Sequence, residues 1–140
     1  MDSILLKVPV TIKAKLTEKL KNKILGDLED GIKRAELEIQ QINIQEKRML
    51  QENDSPEPTP EDINRLGAIR QHFAEERGKR MQYREEATQR KEELEKMALG
   101  AEIQQGTLEH QVEVHVGDDM REIMNVEILV EDDKIIAIRS

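Results

Sequence analysis

The chain contains no cysteine and no tryptophan, and Phe73 and Tyr83 are its only aromatic rings. Without cysteine there is no disulfide, no thiolate zinc site and no cysteine nucleophile, a usage compatible with a reducing cytoplasm. With so few rings, a rounded core built on large side chains is not expected, and elongated helices suit the composition better. Serine is equally scarce: Ser3, Ser55 and Ser140 lie near the termini or beside prolines, and none sits in an activating motif. Gly100 and Gly106 bracket AEIQQ without the lysine that a phosphate-binding loop needs, so no nucleotide fingerprint is present. No apolar run approaches the ~20 residues that span a bilayer, and the N-terminal MDSILLKVPV has no charged leader ahead of its short apolar stretch. These absences lead us to expect a cytoplasmic protein that is not an enzyme, holds no cofactor or metal and makes no membrane contact.

What is present is charge, in regular patterns. Charged residues make up 37% of 140, with a net charge of -8. The first 24 residues are rich in lysine and the last 40 in acids, so the two ends attract each other. Leu6, Val8, Val10, Ile12 and Ala14 alternate with Lys7, Pro9, Thr11, Lys13 and Lys15, the pattern of a half-buried strand. Pro9 cannot donate to a ladder, which places this strand near a sheet edge.

At Thr17 the period changes. Thr17 followed by Glu18 makes a helix start, and Leu25, Leu28, Ile32, Ala35, Ile39, Ile42, Glu46 and Met49 recur in steps of three and four, a coiled-coil heptad. Three prolines between Pro56 and Pro60 end that helix and force a turn at 54–61, after which Thr59 or Asp62 can cap a second helix. Its seam runs Leu66, Ile69, Phe73, Glu76, Arg80, Tyr83, Ala87, Arg90, Leu94 and Met97 up to Gly100. Folding the helices back makes facing residue numbers sum to about 115, pairing Met49 with Leu66, Ile42 with Phe73, Ile32 with Tyr83 and Leu28 with Ala87. Each arm is then about 35 residues and 50 Å long. Beyond Gly100, alternation at Leu108–Val116, Val126–Val130 and Ile136–Ile138 predicts three strands in a meander, joined by VGDD and by a short turn at Glu131 to Lys134. The fold class expected is therefore α+β: residues 1–16 with 101–140 form a small antiparallel β module of about four strands. A long antiparallel coiled-coil hairpin, 17–100, is inserted after its first strand.

Arg70, Arg77, Arg84 and Lys91 repeat every seven residues along one edge of the second helix, and the three arginines have no acid three or four positions away. Two readings follow. The row pairs with acids of the first helix, Glu38 facing Arg77 and Glu46 near Arg70, or it forms a phosphate-binding ridge continued by Lys19, Lys21 and Lys23. Leu37 and Ile44, seven apart and off the main stripe, mark a second apolar edge suited to self-association or to a client helix. His110 and His115 invite a metal, but five residues along a strand put them on opposite faces, and His115 with Glu113 alone is an incomplete site. Asp118, Asp119, Asp132 and Asp133 read as solvated turns, not as a calcium loop.

The ends of the chain, LLKVPVTIKAKLTEKLK, then GAEIQQGTLEHQVEVHVGDDM and VEILVEDDKIIAIR, resemble the YlqD-like family of small bacterial proteins. The GAEI after the second helix, the VHVGDD turn and the final hairpin carry the resemblance most specifically, while the middle helices match only in character. The resemblance brings no established activity and no catalytic residue. It implies genes neighbouring those of a small-subunit ribosomal protein, an RNA-binding KH protein and a ribosome maturation factor, hence a link to ribosome assembly or RNA. The function expected is that of a non-enzymatic interaction or scaffolding protein that self-associates and docks protein partners through its hairpin. The alternative is an RNA- or ribosome-associated assembly factor using the basic rows.

Overall fold

A computed structural model describes residues 1–140 as seven elements: β1 (Ser3–Lys15), α1 (Glu18–Glu52), α2 (Pro60–Lys96), β2 (Glu102–His115), α3 (Met120–Met124), β3 (Val126–Glu131) and β4 (Lys134–Arg139). They form two compact units, residues 1–23 with 97–140 and residues 24–96. No helix is long and apolar enough to cross a membrane.

The helix boundaries follow from side chains that satisfy orphan backbone groups. Thr17 caps α1, accepting from the Leu20 amide at 3.1 Å. Thr59 caps α2 in a reciprocal box: the Asp62 amide donates to Thr59 Oγ1 at 3.2 Å and the Thr59 amide donates to Asp62 Oδ2 at 3.0 Å, with Pro60 in the first helical position. Those bonds hold the Asp62 carboxyl below its usual range, the Thr59 amide contributing most. At the other end of the turn, the Asn53 side chain donates to the Met49 carbonyl at 2.8 Å and closes α1.

The second unit is an antiparallel helical hairpin, because Glu46 meets Arg77, Glu38 meets Arg80 and Glu29 meets Lys91, so α1 numbers fall as α2 numbers rise. Ala35 and Ile42 of α1 and Phe73, Ala87 and Leu94 of α2 are its buried side chains. The expected pairings of Glu38 with Arg77 and Glu46 with Arg70 are corrected: Glu46 takes Arg77 and Glu38 takes Arg80. The cause is side-chain direction. Each Cα–Cβ bond tilts toward the N-terminus of its own helix, so between antiparallel helices long side chains meet at a higher residue sum than their backbones do.

In the first unit, Gly100, at φ 93°, turns the chain back toward its start. Its amide donates to the Leu16 carbonyl at 2.8 Å, and the Leu16 amide donates to the Ala101 carbonyl at 2.7 Å. From there β2 pairs antiparallel with the whole of β1, Lys15 with Glu102 through Ser3 with His115, with one bulge opposite Ile12 and Lys13.

Three expectations about this sheet fail together. The sheet is mixed, not antiparallel: its order is β2-β1-β3-β4, and β3 lies parallel to β1 from Val10↔Val126 to Ala14↔Val130. β1 is therefore an inner strand, and Pro9 is accommodated because the β3 ladder begins one residue later, leaving β1 with a single partner at that point. There is also no three-strand meander. After β2 the chain turns at Gly117, φ 101°, and enters α3, capped by Asp119, instead of reversing into a hairpin. This stretch carries the chain from β2 to the far side of β1, and only β3–β4 is a hairpin, turned by Asp132 and Asp133 at φ 46° and 68°.

Val8, Val10, Ala14, Leu16, Val114 and Leu129 are the buried side chains of this unit. One lysine of the first strand meets a later acid: Lys13 Nζ lies 2.8 Å from Glu127. Arg139 on β4 bonds both oxygens of Glu102 on β2, at 3.0 and 2.7 Å, so one guanidinium ties together the two outer strands of the twisted sheet.

Candidate functional site

The sequence-predicted positions fall into three settings. The first is the basic row of α2. Arg77 forms an ion pair with Glu46, and its Nε donates to Asn43 Oδ1 at 2.8 Å. Lys91 lies 3.3 Å from Glu29 and 3.9 Å from Glu95. Arg70 is exposed and Arg84 half-buried, and neither has an acid partner. The row is thus half neutralised by α1 and half available.

A cation outside the row completes the ionic contacts of the seam. Arg80 Nε donates to Glu38 at 3.2 Å, and its Nη1 donates to the Glu76 carboxylate at 2.5 Å and the Glu76 carbonyl at 3.1 Å. The Arg80 bond holds the Glu76 carboxyl below its usual range, Lys79 adding to it, and Glu76 followed by Glu38 raises Arg80. The Glu76–Arg80 spacing of four residues was visible in the sequence, but the contact of Arg80 with Glu38 was not.

The second setting is the N-terminal turn of α1. Lys19 and Lys23 line a small recess of about 110 Å³ with Ala14, Val130, Asp132 and Asp133. They therefore sit beside acids of the β3–β4 turn, and the Thr17 hydroxyl donates to Asp132 at 2.7 Å. Lys21 instead donates to the Met97 carbonyl at 2.9 Å.

The third setting is the outer side of α1. Leu37 and Ile44 are 59% and 60% exposed. At about 100° per residue, Leu37 lies some 200° around the helix from buried Ala35, so it points away from α2.

The histidine and aspartate clusters have local explanations. His115 lies 3.6 Å from both Glu113 and Asp118. Asp118 accepts the His115 amide at 2.8 Å and Asp119 accepts the Arg121 amide at 2.9 Å, so these acids shape the turn into α3. His110, opposite Val8 in the ladder, keeps a buried Nε2 with no hydrogen-bond partner. No three His, Asp or Glu side chains converge as ligands to a metal would.

Comparison with known proteins places these features in a family. The model of the family described as YlqD protein matches residues 4–139. A crystal structure of a protein of unknown function from Synechococcus sp. WH 8102 superposes with a TM-score of 0.86 at 24% identity, covering 99% of this chain and 95% of that one. At that identity the likeness is one of fold. No curated protein matches.

Proposed function

The chain belongs to the YlqD family, and from that premise and the hairpin's geometry we propose that it acts by binding, as a cytoplasmic interaction or scaffolding protein. Its helical hairpin docks partners, a second copy of the chain foremost. The observation that carries this reading is the exposed pair Leu37 and Ile44, two turns apart on the side of α1 opposite its buried face. Apolar side chains stacked along a long helix favour a partner helix, which removes them from water. Sedimentation or light scattering tests it. The wild type is expected to run as an oligomer and Leu37→Lys with Ile44→Lys as a monomer of unchanged helix content. A wild type that stays monomeric at every concentration, with partners in a pull-down that the double variant retains, would remove this face from the proposal.

A second reading has its own observation. Arg70 and Arg84 have no acid partner, so they are available to phosphates of RNA, where the charges contribute affinity without sequence selection. A gel shift that weakens with salt and disappears in Arg70→Glu with Arg84→Glu supports it; no shift at low salt eliminates it.

A further inference from the structure

One recess in the hairpin is lined unlike the rest. About 330 Å³ in volume, it lies between α1 and α2 and is bounded by Gly31, Arg34 and Glu38 on one side and Lys79, Arg80 and Tyr83 on the other. That volume falls at the lower end of the ~300–1,000 Å³ range of small-molecule sites. At Gly31 the missing side chain lets the Tyr83 hydroxyl pack close against α1, which seats that ring at the recess. Three cations and one carboxylate line it, in a chain whose net charge is -8. The carboxylate, Glu38, is already engaged by Arg80 at 3.2 Å. Arg80 is in turn engaged by Glu76, so its charge already has two acid partners. The other two cations are freer. Arg34 is exposed with no acid partner, and Lys79, whose side chain is 72% exposed, has only Glu76 at 3.4 Å. Tyr83, the single tyrosine of the chain, lines the same recess and is 48% exposed.

We propose that this recess binds the phosphate group of a nucleotide, free or within single-stranded RNA. Arg34 and Lys79 close on the phosphate oxygens, the Tyr83 hydroxyl donates a further hydrogen bond, and the exposed part of its ring meets the base. A guanidinium matches a phosphate with paired N–H donors, an ammonium adds a point charge, and bases stack on aromatic faces regardless of sequence. The site requires neither self-association nor Leu37 and Ile44, so it stands or falls separately from the docking reading.

The absence of tryptophan makes the test direct, because at excitation wavelengths that Phe73 does not absorb the intrinsic emission comes from Tyr83 alone. Full-length protein is titrated with inorganic pyrophosphate while that emission is followed. Adenosine monophosphate and a short single-stranded RNA are then titrated by calorimetry. A saturable change in emission is expected, with affinity reduced on the order of tenfold in Arg34→Glu and again in Lys79→Glu, the loss of one charge-assisted hydrogen bond each. Both positions are exposed and leave the Arg80 contacts with Glu38 and Glu76 in place, and circular dichroism verifies that the hairpin is intact. Binding of the monophosphate assigns a free nucleotide; binding of the RNA alone, with the same dependence on Arg34, assigns the phosphate to nucleic acid. No saturable response to pyrophosphate, or a response that Arg34→Glu leaves unchanged, overturns the proposal.

Discussion

Gly31 and Gly78 both lie inside long helices, where glycine is less favourable than alanine by roughly 0.5–1 kcal/mol. Alanine would nonetheless do different things at the two positions. At Gly78 a Cβ meets nothing within 4 Å, so Gly78→Ala is expected to stabilise by about that propensity difference, read as a higher urea midpoint. At Gly31 a Cβ collides with the Tyr83 hydroxyl and comes within 3.2 Å of Tyr83 Cζ. The ring must swing out, offsetting the gain in propensity, so Gly31→Ala should leave the midpoint nearly unchanged while altering Tyr83 emission. Equal stabilisation by both substitutions, with Tyr83 undisturbed, would contradict the packing described. Thr59→Ala removes the hydroxyl half of the box at the start of α2 and is expected to cost about 1 kcal/mol, measured the same way.

At the scale of elements, the hairpin register is what the ion pairs test. A double-mutant cycle on Glu46 and Arg77 should give a coupling of about 0.5–1 kcal/mol, and one on Glu38 and Arg77 essentially none. The reverse result would restore the pairing read from residue sums alone. Acid is a second probe. Asp62 and Glu76 both have carboxyls held below their ordinary ranges, by the Thr59 amide and by Arg80 respectively. A depressed folded pKa contributes stability above the unfolded carboxylate pKa, and that contribution is lost as pH falls through the folded value. Helix content at a fixed urea concentration should therefore fall below about pH 4, where unfolded carboxylates take up protons. Asp62→Asn, which has no proton to bind there, should flatten that fall; an unchanged profile would show that its cap contributes nothing.

The whole molecule has few large buried side chains, so each matters. Leu16, 1% exposed, lies where the chain leaves the sheet for the hairpin, and both its backbone groups bond the returning strand at Gly100 and Ala101. Leu16→Ala is expected to cost about 2–5 kcal/mol, a large part of a typical stability of about 5–15 kcal/mol. A loss under ~1 kcal/mol in urea unfolding would mean that the junction is far more plastic than its burial implies.

Elements whose signals are local were legible from the residues alone. The change of period at Thr17, the prolines before α2, a cap at Thr59 or Asp62, the Gly100 stop and the alternation of β1, β2 and β3 are each written within a few residues. Heptad spacing showed that the Arg77 row could meet α1 acids across a seam, but not which ones: Arg77 takes Glu46 instead of Glu38, and the Lys91–Glu29 pair was not foreseen. Which strands are neighbours emerges only from the folded chain. Alternation tells which face of a strand is buried but not what lies along its edges, so β1 could not be recognised as an inner strand, nor β3 as its parallel partner across the path through α3. For the same reason the Glu38–Arg80 contact, the packing of the Tyr83 hydroxyl against Gly31 and the Arg139–Glu102 tie appear only in three dimensions. Each joins residues 37 or more positions apart, and their meeting depends on the path and twist of the backbone between them.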